Sequence, residues 1–400
     1  MACDVLIVGG GSTGSSIAYH LATRGITNSI LVEKGEQIAS GQTSKSTALV
    51  RTHYSNPVVA HMAAKSLEFF ENSERMLGRD CGFQLTGLII GADAIAEKAL
   101  SENVVMLREL GIESKTIDKD HALALEPHLN VGAFSLLVFE PKAGYAEPSL
   151  TASAFSSKAE ELGARVLTRT QVLAIEKIQR GGENVYAVDT SMGQIEAKKI
   201  VIANGVWSKK LFEKLGINSI PIKPVRHPVV VYKRPNEYSG RRPLIFDFPH
   251  KAYYKPEGNR LFYAGSLELE LDTDAREVDP DNYSQDVTFE EIEKLTAGVS
   301  ECIPVMGESG TFTGSYTGVY DITPDEEPVI DELSGEGYEG VYCLVGLSGH
   351  GFKLCPEFGR IIAGMIIDGK FNDYDVSIFE RKRFSQNKLI KSKYALGTIG

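Results

Sequence analysis

Ser348, Gly349, His350, Gly351, Phe352 and Lys353 stand in one run that opens at Gly346 and leads to Pro356. A glycine-rich turn lets backbone N–H groups approach an anion, and a helix N-terminus adds partial positive charge. The spacing predicts a helix from Pro356 to Asp368, with the proline in its first turn. A second cluster lies at the other end of the chain. Gly9, Gly11 and Gly14 form G-x-G-x-x-G with Ser12 and Thr13 between them, and Glu33 follows Gly14 by 19 residues. Glycines at this spacing admit a pyrophosphate to a helix N-terminus, and the later carboxylate accepts from ribose hydroxyls. The two clusters together predict one dinucleotide held between the chain ends. Glu33 as a plain strand-end carboxylate is the alternative.

The elements around them fit. Residues 4–8 are a short apolar strand, 15–24 an amphipathic helix closed by Gly25, and 29–32 a second strand. No second complete fingerprint follows, so the rest of the chain must supply a substrate site. Residues 39–51, rich in Ser, Thr, Gly and Gln, read as a loop over the cofactor or as a plain surface connection. Helices are expected at 57–77, 94–110, 148–163 and 289–299, and strands near 83–90, 165–178 and 184–189. Residues 199–203 read as an apolar strand that rejoins the first sheet, bringing Ala203, Asn204 and Gly205 to the cofactor. From 225 to 320 short aromatic and β-branched runs separated by turns predict an antiparallel sheet. Nucleotide-type elements thus bracket β-rich inserts. The tail 381–400 is basic and unpatterned, either disordered or set against a partner subunit.

The 400 residues suffice for two or three cores, and a net charge of −11 argues against nucleic acid. No apolar run approaches the roughly 20 residues of a membrane span. The start of the chain runs straight into a strand, leaving no room for a signal peptide. Five scattered cysteines without a CxxC pair predict no disulfide framework and no metal, and a reducing cytoplasm.

The fingerprint at 9–14, the run from Ala39 to Ser44 leading to Arg51, and the segments 143–148, 202–207, 320–325 and 346–353 resemble a known family. They are similar to FAD-dependent amine and amino-acid oxidoreductases of the D-amino-acid oxidase superfamily, nearest the sarcosine oxidase and glycine oxidase branch. The resemblance implies a combined α/β and α+β fold of the glutathione-reductase-2 type. A Rossmann-like FAD-binding domain (1–85, 147–224, 325–385) would be interleaved with an antiparallel β-sheet substrate domain (86–146, 225–324), followed by a basic tail (386–400). Glu33 and Lys34 would serve the adenosine, Val172 the adenine, and Ser40, Gly41, Thr43, Ser44 and Lys45 the pyrophosphate and flavin. Ala203 to Gly205, Trp207 and Gly318 would complete the cofactor wall, with residues 348–353 at the flavin's pyrimidine edge. Arg51 and Lys353 would clamp a substrate carboxylate. His350 is left between a cofactor hydrogen bond and simple packing, and Tyr253 and Tyr254 between pocket and core.

The implied reaction is loss of a Cα hydride from a small amino acid or secondary amine to flavin N5, giving an imine that hydrolyses. No catalytic base is assigned. Gly318 replaces the cysteine that carries the flavin in covalent relatives, so FAD would be non-covalent. The lysine that promotes oxygen reaction in those relatives aligns near Phe262 and Tyr263, with Lys255 a strand register away; a dehydrogenase is therefore favoured over an oxidase. The acceptor would be oxygen, a quinone or a protein, and a homo- or hetero-oligomer and a peripheral place at the inner membrane face are compatible with the resemblance. A 2-hydroxy-acid dehydrogenase and an electron-relaying subunit of a larger complex are the alternatives.

Overall fold

The computed structural model describes residues 1–268 and 277–393. Two eight-stranded sheets carry the fold. In the first, Arg165–Leu167, Ser29–Val32, Ala2–Val8, Gly193–Ile202 and Val341–Val345 run parallel in that order. The apolar runs of all but the edge strand Arg165–Leu167 are buried, as inner parallel strands require. The strand Gly193–Ile202 also extends outward into an antiparallel meander with Val172–Arg180 and Glu183–Thr190.

The second sheet orders Thr311–Ile322, Lys223–Lys233, Leu261–Ser266, Ala252–Glu257, Leu244–Asp247, Leu88–Ala92, Leu136–Glu140 and Lys115–Ile117. It is antiparallel except where Leu244–Asp247 lies parallel to Leu88–Ala92. A small three-stranded sheet of Leu49–Val50, Gly144–Tyr145 and Gln84–Leu85 forms a third unit of pairing.

Three expectations change. The last long helix spans Gly351–Asp368, so Pro356 lies inside it and not in its first turn. The glycine turn itself is therefore the helix N-terminus, which brings the free N–H groups five residues closer to Gly346 than the proline rule placed them. The predicted helix 57–77 breaks at Asn72 into Pro57–Glu71 and Ser73–Leu77. Asn72 caps the break by donating from its side chain to Glu68 O at 2.8 Å. The described part of the tail is patterned. Arg383 is buried and ion-paired to Asp325 at 2.7 Å, and Lys393 N donates to Ser55 Oγ. The remainder of the tail, 394–400, lies outside the described residues.

The helix Ser12–Thr23 packs against Gly351–Asp368. A Cβ on Gly359 would sit 2.3 Å from Ser16 Oγ, so glycine there sets the spacing of the two helices. Their N-termini, one from each end of the chain, thereby come to the same side of the first sheet.

Candidate active site

A cavity of about 360 Å³ runs along the ends of the first sheet. Its middle is the glycine turn after Ala2–Val8. Gly9 has φ +111°, and a Cβ there would lie 2.5 Å from Ala203 O; one on Gly14 would lie 1.9 Å from Gly9 O. Only glycine closes this turn. The helix begins at Ser12, three residues earlier than the periodicity indicated, and Ser12 N donates to Thr43 Oγ1 at 3.1 Å. Thr43, Gly41 and Gln42 line the cavity, whereas Ser40 and Ser44 are exposed and Lys45 reaches away to Tyr283. Thus the loop lies beside the cavity, with its middle residues Gly41 to Thr43 facing it and Ser40 and Ser44 turned to the surface.

Glu33 is buried and accepts from Gly10 N at 2.8 Å and Gly35 N at 2.7 Å. It is therefore a built part of the site. Thr170, Gln171 and Val172 flank it at the adenosine end, and Ala203, Asn204, Gly205 and Trp207 form the opposite wall. Lys34 lines the same cavity, its ammonium 3.8 Å from the Trp207 ring centroid.

The far end is made by Val319, Tyr320 and Asp321 with Leu347, Gly349 and Phe352. Gly346 and Gly349 take positive φ, and a Cβ on Gly349 would press the Tyr320 ring at 3.1 Å. Ser348 is turned inward, donating to Gly346 O at 3.0 Å, so it holds the turn's shape and does not face the cavity. Gly318 borders Gln42 and Lys45, with nothing nearer than 3.8 Å to a Cβ there. Burial pushes the Asp321 carboxyl up to about 6.

A second, small cavity of about 40 Å³ adjoins it. Ser46, Tyr320, Gly349 and Phe352 line both, so the two share a wall. Arg51, Lys353 and Tyr253 line the small one. Arg51 is buried, donates to His53 O, and lies 4.1 Å from the Tyr54 ring centroid and 5.3 Å from that of Phe246. Lys353 Nζ donates to Gly349 O at 3.0 Å. Burial, and then the Arg51 charge, hold its pKa well below the usual lysine range. The pairing of Arg51 with Lys353, far apart in sequence, is thus realised in space.

His350 does not reach either cavity. It is buried, with Nδ1 3.0 Å from Tyr54 Oη, and burial together with Lys353 and Arg51 keeps it neutral. Its ring packs beneath the site. Tyr254 is a correction. Successive strand residues face opposite ways, so while Tyr253 lines the cavity, Tyr254 enters the core and donates to Asp247 Oδ2 at 3.2 Å. Lys255 is a second correction. It is not a register away but directly opposite Tyr263, buried, with Nζ bonded to Thr47 O at 3.0 Å and paired with Glu257 at 3.2 Å.

Two site residues escaped the sequence reading. Tyr320 forms the shared wall and stacks on His227 at 4.4 Å between centroids, and His227 Nε2 lies 3.4 Å from Tyr253 Oη. Tyr320 stood inside a quoted motif, whereas His227, on a neighbouring strand, carried no local signal. Among the described residues, no cluster of His, Cys, Asp and Glu suits a metal. No helix among them is long and apolar enough to cross a membrane.

A long cavity at two glycine turns, sharing a wall with a small chamber lined by Arg51 and Lys353, is the arrangement expected of a dinucleotide site beside a substrate site. Residues 4–365 match the family model described as FAD dependent oxidoreductase (DAO), and the chain belongs to that family. It is 27% identical over 387 residues to the monomeric sarcosine oxidase of Bacillus sp. (strain B-0618), covering 95% of this chain and 96% of that one. It is also 27% identical to the sarcosine oxidase subunit beta of Arthrobacter sp., covering 97% and 92%. Among solved structures, L-proline dehydrogenase from P. horikoshii superposes with a TM-score of 0.87 at 25% identity, covering 97% of this chain and 99% of that one. Glycine oxidase from Geobacillus kaustophilus shares the fold, with a TM-score of 0.80 at 24% identity over 96% and 99%. The cofactor of this family is FAD, and the glycine cradle, the Ser12 helix N-terminus and Glu33 have the shape and donors for its adenosine diphosphate. The chain is thus an FAD-dependent oxidoreductase of that family.

Proposed function

We propose that the protein oxidises a small amine that carries a carboxylate, of the sarcosine, glycine, proline or D-amino-acid type. One observation carries the reading. The chamber beside the cofactor cavity is lined by two cations, Arg51 and Lys353, and by no acid among the described residues. Arg51 offers a planar fork to a carboxylate and Lys353 a point charge. A volume of about 40 Å³ has room for roughly three water-sized groups, which favours a short side chain.

FAD, when bound, supplies the two-electron acceptor for the Cα hydride. The chain's own residues then bind and orient. The clamp fixes the carboxylate end, and Tyr320 and Gly349, in the shared wall, set how closely Cα approaches the cofactor. Tyr253 is no base near neutral pH, because burial pushes its hydroxyl up to about 12. No catalytic base is assigned: a neutral bound amine needs none, and catalysis then rests on positioning. Residues 1–85, 147–224 and 325–385 are assigned to FAD binding, and 86–146 and 225–324 to the substrate.

Non-covalent FAD is proposed because Gly318 offers no thiol; acid precipitation should leave the flavin in the supernatant, and a yellow pellet would overturn this. Electron transfer to an acceptor other than oxygen is also proposed, since Lys255 is engaged by Thr47 O and Glu257. Oxygen uptake matching amine oxidation would reverse that assignment. The subunit name of the Arthrobacter relative favours a second reading, an assembly with partner chains. Native size measurement with activity absent from the isolated chain would support it. The main proposal is tested by anaerobic mixing with amino and hydroxy acids while flavin absorbance is followed. Bleaching by hydroxy acids alone would replace the amine with an alcohol, and no bleaching by any carboxylate would remove the clamp.

A further inference from the structure

Residues 277–287 run beside the cofactor cavity, which Asp281 lines. Both ends of this segment are fixed on the second sheet's side. Glu277 bridges Val225, and Val278 N donates to Pro224 O at 2.9 Å. At the other end Thr288 caps the helix Phe289–Cys302 through a reciprocal pair of bonds with Glu291.

The middle is pinned to the first sheet's side. Asp281 accepts from Trp207 Nε1, Lys34 Nζ and Lys210 Nζ, each at 2.7 Å. These three donors hold its carboxyl well below the usual range, although burial pushes the other way. Asp279 pairs with Lys210, and Glu277 with Lys209. Lys45 Nζ donates to Tyr283 Oη at 2.6 Å and Gln285 Oε1 at 3.1 Å. Asp281, Trp207, Lys34 and Lys210 themselves line the cavity. A Cβ on Gly41 would meet the Trp207 ring at 3.1 Å, so the cluster lies over the loop that caps the Ser12 helix.

We infer that segment 277–287 is a strap that retains FAD, with Asp281 as its catch. The strap closes the cavity over the diphosphate-binding helix N-terminus, and the cofactor leaves only when the strap lifts from the lysines. Backbone bonds anchor its ends, and ion pairs from Glu277 to Asp281 hold it down. The contacts there are ion pairs between partly exposed groups, and dissolved salt screens such pairs. Cofactor release is therefore controlled by ionic strength at a place separate from the chamber that binds substrate. The inference requires FAD in the large cavity and is independent of which amine is oxidised.

The test measures FAD release from the holoprotein, after its visible spectrum has shown full loading. Dilution is followed by the rise of free-flavin fluorescence. Asp281→Asn should speed release by about fivefold or more, and release from the unaltered protein should quicken between low salt and about 0.5 M NaCl more than release from the variant. Lys209, which does not line the cofactor cavity, separates pairing from folding. Lys209→Glu should speed release, and Lys209→Glu combined with Glu277→Lys should restore it to within about twofold of the original rate. Equal release rates for Asp281→Asn and the unaltered protein, or a double variant as fast as Lys209→Glu alone, would overturn the strap.

Discussion

Replacing Arg51 with glutamine removes the planar fork and the charge but leaves a polar side chain. Arg51 is 1% exposed, stacked on Tyr54 and beside Phe246. A buried charge-assisted pair that loses one partner costs about 2–5 kcal/mol, or about 30- to 4,000-fold in affinity. The structure narrows the range. After burial, the Arg51 charge is the second cause of the depressed Lys353 pKa. Its removal lets Lys353 hold its proton more firmly and recovers part of the loss. The expected weakening is therefore at the lower end, about 30- to 300-fold. The assay is titration of FAD-loaded protein with a carboxylate that has no oxidisable amine, such as acetate or propionate, read by the flavin absorbance change. Arg51→Lys should fall between, because charge returns without the fork. If Arg51→Gln keeps full FAD and binds within about threefold of the unaltered protein, the carboxylate clamp is wrong.

Three further outcomes follow from the same geometry. A carboxylate pairs with protonated Lys353, whose pKa in the free protein is depressed. Above that pKa binding must first take up a proton, so Kd should rise about tenfold per pH unit, and the slope should vanish in Lys353→Met. Tyr254→Phe removes a core hydrogen bond to Asp247 and should cost about 1–2 kcal/mol of stability, seen in thermal melts, without changing carboxylate affinity; Tyr253→Phe should do the reverse. Glu327 is buried beside Asp325, and burial, then that charge, push it up to about 8. The folded protein keeps a proton that the unfolded chain loses above its ordinary pKa of 4.5, so stability falls as pH rises from there to about 8. The slope is about 1.4 kcal/mol per unit, and Glu327→Gln should flatten it in melts across that window.

The cofactor end of the site was legible because its chemistry is local. Gly9, Gly11, Gly14 and Glu33 announce themselves through spacing, since a turn that admits no Cβ can be built only from glycine. The Gly346 turn was legible for the same reason, but the proline rule misplaced its helix, because Pro356 is tolerated inside Gly351–Asp368. The substrate chamber was harder. Tyr253 and Tyr254 look alike in sequence, and only the strand's register decides which one faces the cavity. His227 reaches Tyr320 across the pairing of Lys223–Lys233 with Thr311–Ile322, a contact no local pattern encodes. Lys255 was read a register away, whereas the ladder sets it opposite Tyr263. The strap residues Asp279 and Asp281 carried no signal, because their partners Lys34, Trp207 and Lys210 lie 69 or more positions away in the chain.

The most direct test of the carboxylate-anchored amine is anaerobic flavin reduction by matched pairs. Sarcosine, glycine, proline and D-alanine are each compared with the amine that remains when the carboxylate is removed. At least one amino acid should bleach the flavin, and its decarboxylated partner should do so at least about 100-fold more slowly at equal concentration. Equal bleaching by both members of a pair, or none with any of the carboxylates, would contradict the assignment of Arg51 and Lys353.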